Sequence, residues 1–292
     1  MQGGIAMYNY GIQPMPLNVT RGCSHHGCKF CDMYKGKKFK MATMEELEQE
    51  IALIKHYQPN TRQIYFTGED PFVLSYEKIK KILLKIQEEL PYVNIVTMTA
   101  RVSNMKNKTV EQLKELKTLG IYHLWLGSES GNDEVLRRVN KNQTSDDIIT
   151  QCKKLEAAGI KYTLSYVVGL GGKDLSVQNA IDTAHIYNQL HPTAIAMSGL
   201  MLYRDTELYQ EFLNHTFVMA SEMELANELK IFLENLETNT QISMNHTAPF
   251  VVSGIYPKDK DKILTFIQDK LKHFDFDKHA QSRIADSIFA EN

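Results

Sequence analysis

Cys23, Cys28 and Cys31 lie on one short segment, Arg21-Gly22-Cys23-Ser24-His25-His26-Gly27-Cys28-Lys29-Phe30-Cys31, with the spacing C-x4-C-x2-C. Three thiolates on one loop can hold three irons of a [4Fe–4S] cubane. The fourth iron is then left open to a small molecule. The same residues allow a second chemistry, a structural zinc site made of the three cysteines with His25 or His26. A disulfide framework would need dispersed, even-numbered cysteines in a secreted chain, and clustered cysteines point instead to a metal or a cluster. Cys152, the remaining cysteine, falls on a helical pattern and reads as a buried apolar residue.

The rest of the chain must position that loop. Of its 292 residues, 43% are apolar and 23% charged, which supports a large core and excludes low-complexity disorder. The net charge of −2 calls for no nucleic-acid partner. The local basic run Lys35-Gly36-Lys37-Lys38-Phe39-Lys40 reads as a solvated loop, with a phosphate-contacting loop as the alternative. Residues Met1 to Asn9 lack the basic-then-apolar pattern of a secretory signal. No run approaches the roughly 18 apolar residues of a membrane span. The expectation is a cytoplasmic protein with no membrane partner.

Short apolar runs alternate with amphipathic helices. Strands are expected at Pro16–Thr20, Gln63–Thr67, Asn94–Ala100, His123–Leu126, Lys161–Val168 and Ala194–Gly199. Helices are expected at Met44–Tyr57, Tyr76–Leu90, Val110–Leu119, Ser145–Ala158, Ser176–Gln189 and Thr206–Leu213. Strands apolar on both faces suit a parallel sheet covered by helices. Thr43 with Glu46 reads as a capping box, and Gly120 and Gly159 mark helix stops. The fold class is therefore α/β, a partial TIM-like (β/α)6 barrel over residues 1–214, with a doubly wound sheet as the rival. Residues 215–292 form a helical C-terminal extension packed on the barrel, with helices at Met219–Leu236 and Asp259–Phe274.

The cysteine loop follows the first strand and resembles the cluster loop of the radical S-adenosylmethionine superfamily. That family's usual spacing is C-x3-C-x2-C with an aromatic before the last cysteine. Phe30 holds the aromatic position, and this chain has one extra residue between Cys23 and Cys28. Thr67-Gly68-Glu69-Asp70-Pro71, after the second strand, resembles the family's Gly-Gly-Glu motif. The resemblance implies that Gly68 and Glu69 bind the methionine amino group. Leu126-Gly127-Ser128-Glu129-Ser130-Gly131 and the following stretch resemble the oxygen-independent coproporphyrinogen oxidase-like branch. There the match implies ribose contacts by Glu129 and a methionine-carboxylate contact by Lys141, with Arg137 and Arg138 as alternatives. In the fifth strand the resemblance implies a ribose contact by Ser165 and adenine contacts by Val168 and Leu170. Arg101, after the third strand, is a candidate for cofactor or substrate, or for an ion pair with Glu69 or Glu129.

The implied cofactors are a [4Fe–4S] cluster and S-adenosylmethionine. The implied chemistry is reductive cleavage of that cofactor to a 5′-deoxyadenosyl radical that acts on a small-molecule substrate. It requires an electron donor such as flavodoxin or ferredoxin, and oxygen sensitivity is expected. The alternatives are a porphyrin-directed radical oxidase and a non-catalytic zinc or iron–sulfur binding protein. Tyr203-Arg204-Asp205-Thr206-Glu207-Leu208-Tyr209 resembles a Pro-Gly-Thr-Glu-Leu-Tyr stretch of relatives, and Asp205 is the expected helix cap. Asn245, His246 and Tyr256 are candidates for a substrate mouth, and His246 is the candidate acid–base residue.

Overall fold

In a computed structural model of the protein, the residues described are 14–33, 36–244, 251–273 and 283–286. Eight strands form the main sheet: β1 (Met15–Asn18), β2 (Gln63–Thr67), β3 (Ile95–Arg101), β4 (Ile121–Glu129), β5 (Lys161–Val168), β6 (Ala194–Gly199), β7 (Thr240–Met244) and β8 (Ser253–Tyr256). The helices are α1 (Met44–Tyr57), α2 (Tyr76–Glu89), α3 (Val110–Thr118), α4 (Asp133–Arg138), α5 (Ser145–Ala158), α6 (Gly172–Tyr187), α7 (Glu207–Leu213), α8 (Glu222–Asn235) and α9 (Lys260–His273).

The strands stand in the sheet in the order in which they occur in the chain. Pairs β1–β2, β2–β3, β3–β4 and β6–β7 are parallel, and β7–β8 is antiparallel. A doubly wound sheet reverses its strand order at a switch point. No reversal occurs here, so the winding is that of a barrel, and the sheet does not close on itself. In β5 every residue except Lys161 and Ser165 is buried, as two-sided coverage requires.

The chain divides into two compact units. The first, residues 1–24, 36–127 and 150–163, holds β1 to β3, most of β4, and α1 to α3. Its helices bury one stripe each. In α2 the stripe is Ile79, Ile82, Leu83 and Ile86, the spacing that one face of a helix demands. The expected capping box closes the start of α1: Glu46 N donates to Thr43 Oγ1 over 3.1 Å and Thr43 N to Glu46 Oε2 over 2.7 Å. A short ribbon pairs Thr20–Arg21 with Lys40–Met41.

His123, on β4 in the first unit, is buried, and its Nε2 lies 2.8 Å from Thr163 Oγ1. Burial, with a smaller push from the Lys161 charge, holds its imidazole down at about 4. The unfolded chain takes up that proton near pH 6.5, and the fold resists it. Stability from this group is therefore complete above about pH 6.5 and falls as pH drops toward 4, by up to roughly 3 kcal/mol. Urea unfolding at pH 7 and pH 4.5 should show this loss in the wild type, and His123→Gln should reduce it. An equal loss in both proteins would reject this source.

The second unit, residues 25–35, 128–149 and 164–292, holds α6 packed on α8, α8 packed on α9, and β6 to β8. Its apolar centre includes Val135, Val139, Val167, Leu170, Leu202 and Phe217. The expected helices of the extension are present as α8 and α9, but the extension is not solely helical. It also supplies β7, buried at Thr240, Ile242 and Met244, and β8, buried only at Tyr256. The cap of α7 is Thr206, which accepts from Tyr209 N, and not Asp205. Among the described residues no helix is long and apolar enough to cross a membrane.

Candidate functional site

In the first unit the loops after β1 and β2 carry Cys23 and Gly68 with Glu69, and Arg101 is the last residue of β3. Cys23 and Glu69 are partly exposed. Ser24, next to Cys23, donates its backbone N–H to Asp70 Oδ1 over 3.2 Å, and its hydroxyl bonds the other carboxylate oxygen. Asp70 is fully buried. Burial raises its carboxyl above the usual range, while the Ser24 bonds, the Arg101 charge and Asn104 pull it back. Asn104 Oδ1 also accepts Arg101 N over 2.7 Å. Gly68 has φ +115°, and a Cβ there would lie 2.0 Å from Thr20 Oγ1 and 2.6 Å from Thr20 O. Only glycine lets the second loop approach the first this closely. Thr99 Oγ1 then donates to Gly68 O over 2.8 Å, so β3 holds the same turn.

In the second unit the rest of the cysteine loop is held from both sides. His25 Nε2 lies 2.7 Å from Asn140 O, and Asn140 Nδ2 donates to Gly27 O over 2.7 Å. Lys29 N donates to Val139 O over 3.0 Å, and Leu208 N donates to Lys29 O over 2.9 Å. Lys29 Nζ pairs with Glu211 at 2.5 Å. His26 turns the chain with φ +51°. A Cβ at Gly27 would meet the His25 ring at 2.8 Å and Asn140 Nδ2 at 2.9 Å. The longer first spacing is thus accommodated by a turn at His26 and a reciprocal pair of bonds to Asn140.

Four sequence-predicted residues meet in this unit. Lys141 Nζ pairs with Glu129 Oε1 at 2.9 Å, with side chains only 7% and 14% exposed. Ser165 Oγ donates to Glu129 Oε2 over 2.7 Å and accepts from Glu129 N over 3.2 Å. Lys141 Nζ stands 6.0 Å from the centre of the Phe30 ring. Glu129 takes φ +65°, an uncommon conformation for a residue with a side chain. Phe30 packs on the apolar group that contains Leu170, and Leu170 and Val168 are both fully buried. Arg137 is paired with Glu134 and exposed, and Arg138 is paired with Asp174. Of the three basic candidates in this stretch, Lys141 is the one joined to Glu129. Tyr256 is buried with its hydroxyl donating to Leu233 O. His246 and Asn245 lie outside the described residues.

Sequence reasoning passed over Asp70, Asn104, Asn140 and Glu228. Glu228, on α8, is fully buried and accepts from Tyr166 Oη at 2.8 Å, Gly169 N at 3.1 Å, Ser176 Oγ at 2.7 Å and Asn179 Nδ2 at 2.9 Å. Burial raises its carboxyl above the usual range and these donors oppose the rise. It holds the turn after β5. The only signal in the sequence would have been an acidic residue on the inward stripe of α8, between Leu225 and Leu229.

The donor set fits a cubane. Cys23, Cys28 and Cys31 are partly exposed, while Cys152 is buried and burial pushes its thiol far up, away from the thiolate a ligand needs. Among the described residues no group of three or more His, Cys, Asp or Glu side chains has single-ion spacing. A cubane asks each thiolate to meet its own iron, so the fit rests on donor type and number.

A heme chaperone of Bacillus subtilis, HemW, is 27% identical over 168 residues, covering 54% of this chain and 44% of that protein. The chain therefore matches less than half of that relative's length. An uncharacterized protein of Methanocaldococcus jannaschii is 24% identical over 262 residues, 85% of this chain and 76% of that one. The fold is similar to that of the radical S-adenosylmethionine methyltransferase TsrM from Kitasatospora setae, solved with cobalamin and a [4Fe–4S] cluster bound. The TM-score is 0.58 at 15% identity, over 96% of this chain and 56% of that one. The family model of the Radical SAM superfamily matches residues 17–184, more than half of the chain, and the protein belongs to that superfamily.

Proposed function

We propose that the protein is an enzyme that holds a [4Fe–4S] cluster on Cys23, Cys28 and Cys31 and binds S-adenosylmethionine beside it to act on a small-molecule substrate. The observation that carries this reading is the part-buried group of Glu129, Lys141 and Ser165 next to Phe30, in a chain of this superfamily. With both cofactors bound and one electron delivered, they supply a 5′-deoxyadenosyl radical for hydrogen abstraction. The protein's part is placement. Glu69, on the turn that Gly68 permits, would take the methionine ammonium, and Lys141 the carboxylate. Glu129 and Ser165 would take the ribose hydroxyls, and Val168 and Leu170 the adenine. Arg101 would contact cofactor or substrate. The electron would come from a flavodoxin or ferredoxin. A cytoplasmic location and oxygen sensitivity belong to the same proposal.

Anaerobic purification tests it. The expected result is about four irons and four sulfides per chain, with 5′-deoxyadenosine released on reduction in the presence of S-adenosylmethionine. One zinc per chain and no cofactor cleavage would overturn it. The likeness to a heme chaperone supports a second reading of the substrate as a porphyrin. Consumption of coproporphyrinogen, or binding of added heme seen in its visible spectrum, would favour that reading, and neither occurring would remove it.

A further inference from the structure

Lys108 follows the turn Val102–Met105, in the first unit, and is 3% exposed. Its ammonium donates to Phe72 O over 2.9 Å and to Asn104 O over 3.1 Å, and it stands 4.7 Å from the Phe72 ring. Burying an ammonium is costly unless it is well paired. Here both hydrogen-bond partners are carbonyls. Phe72 belongs to the turn Pro71–Val73 after β2, and Asn104 to the turn after β3. One buried charge therefore joins two strand-end turns.

Further contacts extend the connection. Asn104 bonds Arg101 N and Asp70, and Asp70 accepts two bonds from Ser24, the neighbour of Cys23. Each link borders a residue assigned to the cofactor: Cys23, Glu69 or Arg101. Lys154 of α5 reinforces the turn after β3 by donating to Met105 O over 2.6 Å.

We propose that Lys108 is a positioning residue, a clamp between the turns after β2 and β3 that sets Glu69 and Arg101 for S-adenosylmethionine without touching the cofactor. The inference rests on the functional reading above. Burial, with repulsion from Lys154, lowers the Lys108 ammonium to about 8. Asp70, on the turn after β2, and Arg101, at the end of β3, are the charged residues joined to Asn104. The clamp is then charged at neutral pH and loses its proton in mild alkali. The neutral amine retains N–H groups but lacks charge assistance, which makes its bonds weaker.

The test uses the full chain with its cluster reconstituted, as wild type, Lys108→Met and Lys108→Arg. Iron content and S-adenosylmethionine dissociation constants are measured at pH 7 and pH 9. Iron should be equal in all three. At pH 7, Lys108→Met should weaken binding about tenfold or more and Lys108→Arg about threefold or less. From pH 7 to 9 the wild type should lose several-fold more affinity than Lys108→Arg, whose guanidinium stays charged. Wild-type affinity in Lys108→Met, or one shared pH profile for wild type and Lys108→Arg, overturns the clamp. If Lys108→Met does not fold, the pH comparison decides alone. A wild type that holds its cluster but binds no S-adenosylmethionine overturns the functional reading, and the clamp with it.

Discussion

Cys28→Ala should bring iron down from about four per chain to below one and abolish cleavage of S-adenosylmethionine. The variant is informative because its backbone has independent support. On either side of Cys28, Gly27 O accepts from Asn140 and Lys29 N donates to Val139 O. The Cys28 side chain is only partly buried, so removing its sulfur leaves no large cavity. The expected stability change is within about 1 kcal/mol. Cys152→Ala is the matched control: it should cost about 1 kcal/mol of packing and keep its iron. Full iron in purified Cys28→Ala would remove Cys28 from the ligand set.

The second large effect is on stability. Glu228→Ala removes the one acceptor shared by Tyr166, Gly169 N, Ser176 and Asn179 at the centre of the second unit. A buried donor left without a partner costs about 1–3 kcal/mol. Four such donors do not add fully, because water and relaxation recover part of the loss. A total on the order of 4 kcal/mol is expected. Glu228→Gln should lose roughly half as much, since it keeps an oxygen but points an amide N–H₂ at donors. Denaturant unfolding of the three proteins measures both values. A Glu228→Ala variant within about 1 kcal/mol of wild type would show that the network contributes little.

These two residues also show which parts of the molecule the sequence made legible. Cys28 announced itself through spacing. The elements β2, β5, β6, α1 and α5 begin and end where periodicity, Gly punctuation and the Thr43–Glu46 box place them. Glu129, Lys141, Ser165 and Phe30 were readable because each stands at a position of a known pattern, and the structure brings the four together. Glu228 and Asp70 were not readable for a physical reason. A buried acid satisfied by distant donors looks, residue by residue, like an acid on a wet surface. Asp70 and Ser24 are 46 positions apart, and Glu228 lies 62 positions from Tyr166. Only the fold shows that they meet. Strands β7 and β8 escaped because they lack the continuous apolar run of β2: Thr240-Gln241-Ile242-Ser243-Met244 is interrupted by polar residues, and Ser253-Gly254-Ile255-Tyr256 opens on Ser and Gly.

The pairing of β7 with β6 bears on where this protein could be cut. The chain's apparent boundary after residue 214 falls between those two strands. A fragment ended there would leave Ala194–Gly199 without the neighbour that Gln241–Met244 provides. Its free N–H and C=O groups would form a flat template open to any extended chain, and templates of that kind seed aggregation. What looks like an appendage is, in the folded protein, the cover for the edge that β6 would otherwise present.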